Sequence, residues 1–257
     1  MGTELTLSAG TVFGFLLVLA RVSGVFVFVP LPGMQATAAP ARVVLSFATT
    51  LALYRLWPVM NPENTTVMLL IGEILSEAAL GIAVGIAVAF LSEMFQMGAQ
   101  IIGLQAGYTF ASTVDPTTGA DSAVLMSLTQ TCAGLLFFAI GLDHQVIAAF
   151  ANSLTTRPPG VFVTNLPMAR LILQTGSSIF STGLRLVLPL VALLIIVDIS
   201  LALLARLNAQ LQLLTLAFPI KMLLSLSLLA SLVMVFPKLY TGSSHEIMQL
   251  VRKLLLV

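Results

Sequence analysis

Residues Val67–Leu91 read VMLLIGEILSEAALGIAVGIAVAFL. A helix needs about 20 mostly apolar residues to cross the roughly 30 Å hydrocarbon core of a bilayer. This run is long enough. Its apolar residues are continuous rather than alternating, so it reads as a helix that satisfies its own backbone and not as a barrel strand. Gly81, Gly85 and Ala89 fall at steps of four, a small-residue stripe that lets another helix approach closely. Glu73 and Glu77 lie one turn apart on the same helix. Beyond Leu91 the sequence continues as SEMFQMGAQII, where Glu93, Gln96 and Gln100 form a polar stripe at helical spacing. Met94 and Met97 sit among them and are candidates for a deformable lining, because thioethers adapt their shape.

The rest of the chain has the same character. Of 257 residues, 58% are hydrophobic and only 8% charged, against about 25% charged in an ordinary soluble domain. So few charges cannot cover a soluble surface. The expected class is therefore an all-α integral membrane protein, with about six long helices arranged as helical hairpins. Net charge is +1, which supplies no basic field for nucleic acid. The single Cys132 excludes an internal disulfide and a cysteine metal cluster. The first run has no Lys or Arg before Arg21, so it reads as a retained helix rather than a cleaved signal.

The other runs are bounded by proline and glycine. Leu5 to Leu31 holds Arg21 and ends at Pro30–Gly33; Val43 to Trp57 is short for a span; Ala123 to Leu142 leads to Asp143–His144 and a brief apolar piece. The Pro- and Gly-rich turn at Thr155–Gly160 is the best internal boundary, separating 1–160 from 161–257. Leu166 to Ala205 and Leu213 to Phe236 then make a hairpin, with a tail from Lys238. Pro189 is expected to kink the first helix or to mark where an amphipathic lead-in meets the span. The basic residues weakly favour cytoplasmic chain ends.

Between two of these runs lies the polar insert GLQAGYTFASTVDPTTGADS, residues 103–122. It carries Gly103 and Gly107, two aromatic rings (Tyr108 and Phe110), Asp115, Pro116, Gly119 and no basic residue. Charges embedded in or beside apolar runs include Arg21, Glu73, Glu77, Glu93, Arg185, Asp198 and Lys221. An ionised group at the bilayer centre costs about 2.5–3.5 kcal/mol on insertion scales, so these should face protein, water or each other. Salt bridges, with Arg21 or Arg185 as partners for Glu73 and Glu77, weigh about two to one against a proton relay through those carboxylates. The two histidines stand in no metal-ligand spacing, and no nucleophile motif or phosphate-binding glycine loop is present. The expectation is a protein with no catalytic residue, cofactor or metal.

Taken in order, several motifs resemble the FliR family of the bacterial flagellar type III protein export apparatus. They are Arg21–Val22–Ser23–Gly24 with Pro30 and Pro32, the Glu77/Gly81/Gly85 helix and GLQAGYTFASTVDPTTG at 103–119. LFFAIGLDHQVIAAFANS at 136–153, Leu188–Pro189 and AFPIKM at 217–222 complete the set. Asp143–His144 replaces the family's paired histidines, and Ala209 its proline. The resemblance implies a single-copy, non-enzymatic gate subunit assembled with FliP and FliQ subunits, with FlhB at the entrance and unfolded flagellar proteins as cargo in the inner membrane. It also implies a FliP-like part at 1–160, a FliQ-like hairpin at 161–257, an assembly partly raised above the lipid, and a pore plug at 103–122 in which Phe110 obstructs. The alternatives are an injectisome gate or a small-solute or ion transporter using Glu73 and Glu77 as a proton relay.

Overall fold

The computed structural model describes residues 9–29, 38–58, 66–108, 123–159, 166–207 and 213–255. Among them are seven α-helices and one 3-10 turn, and no strand. They are α1 (Ala9–Phe28), α2 (Ala38–Ala52), the 3-10 turn Tyr54–Leu56, α3 (Val67–Ala106), α4 (Ala123–Ala139), α5 (Leu142–Thr156), α6 (Leu166–Leu207) and α7 (Leu213–Leu255). The protein is an all-α membrane protein. Helices α1, α3, α6 and α7 are each long and apolar enough to cross a bilayer. The α4–α5 pair makes a fifth candidate if it counts as one broken span.

Local chemistry explains the breaks. Gly141 takes φ 69°, a left-handed conformation that glycine adopts without a Cβ penalty. It stands between α4 and α5, which meet at 60°. The short second run is α2, fifteen residues long, closed by the 3-10 turn and by Trp57, whose indole N–H donates to the Thr50 carbonyl at 2.9 Å.

Two boundaries differ from those read in the sequence. Gly103, taken as the first residue of the polar insert, is a buried helical residue, because α3 continues to Ala106. The alternation of Ala99, Ile102 and Ala106 on its buried face carries the helix past the glycine. The tail from Lys238 is helix as well, since α7 passes through Pro237 to Leu255.

The chain packs as two compact units. One comprises Met1–Ala89, Phe137–Gly176 and Ser244–Val257; the other comprises Phe90–Leu136 and Ser177–Ser243. Helices α3, α4, α6 and α7 contribute residues to both. The first unit has a cluster of Val18, Val22 and Leu154, joined by Phe26, Leu53 and Trp57. The second has Ala99, Ile102, Leu125, Val187, Leu194 and Leu229 at its core.

Candidate functional site

In the first unit the small-residue stripe brings two backbones together. A Cβ on Gly81 would strike the carbonyl oxygen of Arg21, and one on Gly24 would lie 2.7 Å from the carbonyl oxygen of Ala78. A Cβ on Gly85 would come within 2.9 Å of the Val25 carbonyl oxygen. This approach sets Arg21 of α1 beside Glu77, one turn before Gly81 on α3. The Arg21 Nε donates to Glu77 Oε2, and both side chains are fully buried. Arg21 Nη1 also donates to Ser153 Oγ at 3.1 Å, and Nη1 and Nη2 approach the Arg157 carbonyl at 3.4 Å. Arg157 is the C-cap of α5. Its carbonyl stands at the electronegative end of a helix, where a cation is stabilised. The guanidinium is thus enclosed by a carboxylate, a hydroxyl and a helix terminus. Breaking one such partner leaves a bare buried charge.

Glu73, the other carboxylate of the run, is half-buried, and its Oε2 has no hydrogen-bond partner among the described residues. Arg185 is exposed. A cleft of about 210 Å³ in the same unit, lined by residues such as Phe26, Phe138 and Val146, has Asp143 as its titratable wall residue. Asp143 Oδ2 lies 3.1 Å from His144 Nδ1, with the histidine largely exposed. No group of three or more metal-ligating side chains occurs among the described residues.

In the second unit, α3 shows two faces. Glu93 and Gln100 are exposed and Gln96 is half-buried, 3.5 Å from Glu93, so the polar stripe looks away from the core. Met94 is buried on the opposite face, against Gly183, where a Cβ would lie 2.5 Å from Met94 Cγ. Met97 is half-buried. The helix then ends in a group of polar ties. Gln105 Nε2 donates to Asp198 Oδ2 at 3.0 Å, and Lys221 Nζ pairs with Asp198 Oδ1 at 2.7 Å. Gly107 turns out of the helix at φ 85° and lies against Phe218, and the Tyr108 hydroxyl donates to the Met222 carbonyl at 3.3 Å. Phe110, Asp115, Pro116 and Gly119 lie outside the described residues.

The structure therefore pairs embedded charges: Arg21 with Glu77, one of the pairings read from the sequence, and Asp198 with Lys221, which the sequence could only enumerate. Ser153, the Arg157 carbonyl and Gln105 were not singled out. A signal for the second pair did exist. Asp198 and Lys221 lie at nearly equal distances along the chain from Gln210, so a hairpin turn there sets them level.

These features define a polytopic α-helical membrane protein whose buried polar groups join helices. The family model for bacterial export proteins, family 1, matches residues 12–247. The chain belongs to that family, the FliR family of the flagellar export apparatus. Relatives named flagellar biosynthetic protein FliR support the assignment. That of Caulobacter vibrioides is 28% identical over 91% of this chain and 94% of its own length. That of Bacillus subtilis is 27% identical over 84% of each. The Escherichia coli protein is 33% identical over 60% of this chain, a match spanning 59% of that relative.

Proposed function

We propose that this chain is a non-enzymatic subunit of the flagellar type III protein export gate. It assembles in the bacterial inner membrane with FliP-like, FliQ-like and FlhB-like subunits and passes unfolded flagellar proteins. Part of the assembly stands above the bilayer plane. Residues 1–160 play the FliP-like part and 161–257 the FliQ-like hairpin, and the segment 103–122 plugs the pore. The family match from residue 12 to 247 carries this reading. The geometry is compatible with the plug: a left-handed Gly107 redirects the chain at the end of α3, immediately before the segment that holds Phe110. No cofactor, metal or nucleic acid enters the reading.

The plug is tested by deleting Thr109 to Gly119 in the assembled complex and measuring leak of small solutes. The expected result is a raised leak. Permeability equal to that of the intact complex overturns the plug. A transporter with a Glu73/Glu77 relay is disfavoured by the enclosure of Glu77, which is fixed to Arg21 and has no free face for proton exchange. Replacing both carboxylates would also strip Arg21 of its counter-ion. Glu73→Gln alone is therefore the cleaner exchange, and the gate reading predicts that it leaves export intact.

A further inference from the structure

Arg42, near the start of α2, is half-buried, and its Nε is shut off from solvent with no hydrogen-bond partner among the described residues. None of the ion pairs found there includes it. The first turn of α2 holds no acid either. A helix N-terminus is itself electropositive, so a cation there stands at the unfavourable end of the dipole. Arg21, in the same unit, is enclosed by a carboxylate, a hydroxyl and a carbonyl. Arg42 has a positive helix end beside it and no anion.

Its guanidinium lines a cleft of about 260 Å³ between α1 and α2. Ser23 and Val27 of α1 and Val43, Ser46 and Phe47 of α2 are among the other walls, and no acidic side chain is. Val27, Val43 and Phe47 are exposed, so the cleft opens onto bare apolar surface. The Ser23 and Ser46 hydroxyls donate to the Ala20 and Arg42 carbonyls at 3.1 and 2.7 Å, which leaves Arg42 as the donor of the cleft. Depth matters too. Twenty-residue α1 is long enough, at about 1.5 Å per residue, to match the roughly 30 Å hydrocarbon core. Ser23 and Val27 lie in its last two turns, which puts the cleft towards headgroup level, where phosphates are. A planar guanidinium fork matches phosphate geometry, and basic pockets between membrane helices at this depth suit lipid headgroups.

We propose that the α1–α2 cleft is a phospholipid site, in which Arg42 holds the phosphate diester and an acyl chain lies along Val27, Val43 and Phe47. The lipid supplies the anion that the chain itself does not place beside Arg42. The site requires only that the chain lie in a bilayer, and it is independent of the pore plug.

The test uses the purified whole assembly in mild detergent, stripped of bulk lipid. It is incubated with phosphatidylglycerol carrying a diazirine on one acyl chain, or with diacylglycerol carrying the same chain, and then illuminated. Label on peptides covering 19–28 and 42–53 is measured by mass spectrometry, with exposed Leu173 of α6 as the reference for general lipid contact. Phosphatidylglycerol should label the cleft about tenfold more than diacylglycerol, the factor that corresponds to about one charge-assisted hydrogen bond. Arg42→Gln should remove that difference while label at Leu173 and the yield of assembly stay unchanged. Excess inorganic phosphate should leave the cleft labelled. Equal labelling by the two probes in the unaltered assembly overturns the site, and that comparison needs no variant. So does phosphatidylglycerol labelling that persists in Arg42→Gln. Loss of label to inorganic phosphate would assign the cleft to a free anion and overturn it as well. A cleft that takes no label while Leu173 does is covered by another subunit, which also refutes the lipid.

Discussion

Arg21 is fully buried and still makes contact with a carboxylate, a hydroxyl and a helix C-terminus. Removing one partner of a buried ion pair typically costs about 3–5 kcal/mol, because the remaining charge is left uncompensated. Glu77→Ala should accordingly lower the thermal stability of the purified protein sharply. The double exchange Arg21→Met with Glu77→Leu, which removes both charges and keeps bulk, should recover most of the loss. A double variant no better than Glu77→Ala would mean that the pair is not the source of the effect. The sequence showed that Arg21 needed a partner and offered Glu73 or Glu77; the close approach at Gly81 selects Glu77. The Arg157 carbonyl was illegible, since a backbone acceptor has no residue-type signature. The same holds for Gln105, which reads as an ordinary polar residue until Asp198 is set beside it.

Helix α3 shows where pattern reading succeeds and where it slips. The Gly81/Gly85 stripe marked a packing face, and that face meets the backbone of α1. Gly81→Val should therefore force the two helices apart. The thermal stability of the purified protein would report this: a sharp drop in Gly81→Val, set against Gly72→Val, where a Cβ meets open space. Equal stability of the two valine variants would contradict the contact. Gly103 was read as the start of the polar insert because a glycine-rich polar stretch looks like a loop, whereas the apolar face of α3 sustains the helix for one more turn. Gly107 is the true exit. Its φ of 85° costs a non-glycine residue roughly 1–2 kcal/mol, and a Cβ there would lie 2.9 Å from Phe218. Gly107→Ala should thus destabilise the end of α3, visible as faster amide exchange at 104–108 with no change at 80–90. Uniform exchange across both stretches would contradict a local effect.

At the scale of the molecule, the apolar surface is far larger than the chain covers by itself. The most hydrophobic stretch of α6 is only 11% buried and that of α7 only 17%, against 44% in α1 and α3. Residues such as Leu173, Leu207 and Met234 are almost bare. Exposed apolar area on this scale has to be covered by lipid or by other subunits. Helix count and membrane class were legible in the sequence because they follow from continuous apolar runs. The two compact units were not, since they cut across single helices and depend on which residues meet in space. The central claim is that this chain works as one subunit of a hetero-oligomeric export gate. The most direct test is to extract the tagged chain in mild detergent and weigh the intact particle by native mass spectrometry. The account predicts one copy of this chain carried in a larger complex with several FliP-like and FliQ-like subunits. A stable monomer free of partners would contradict it.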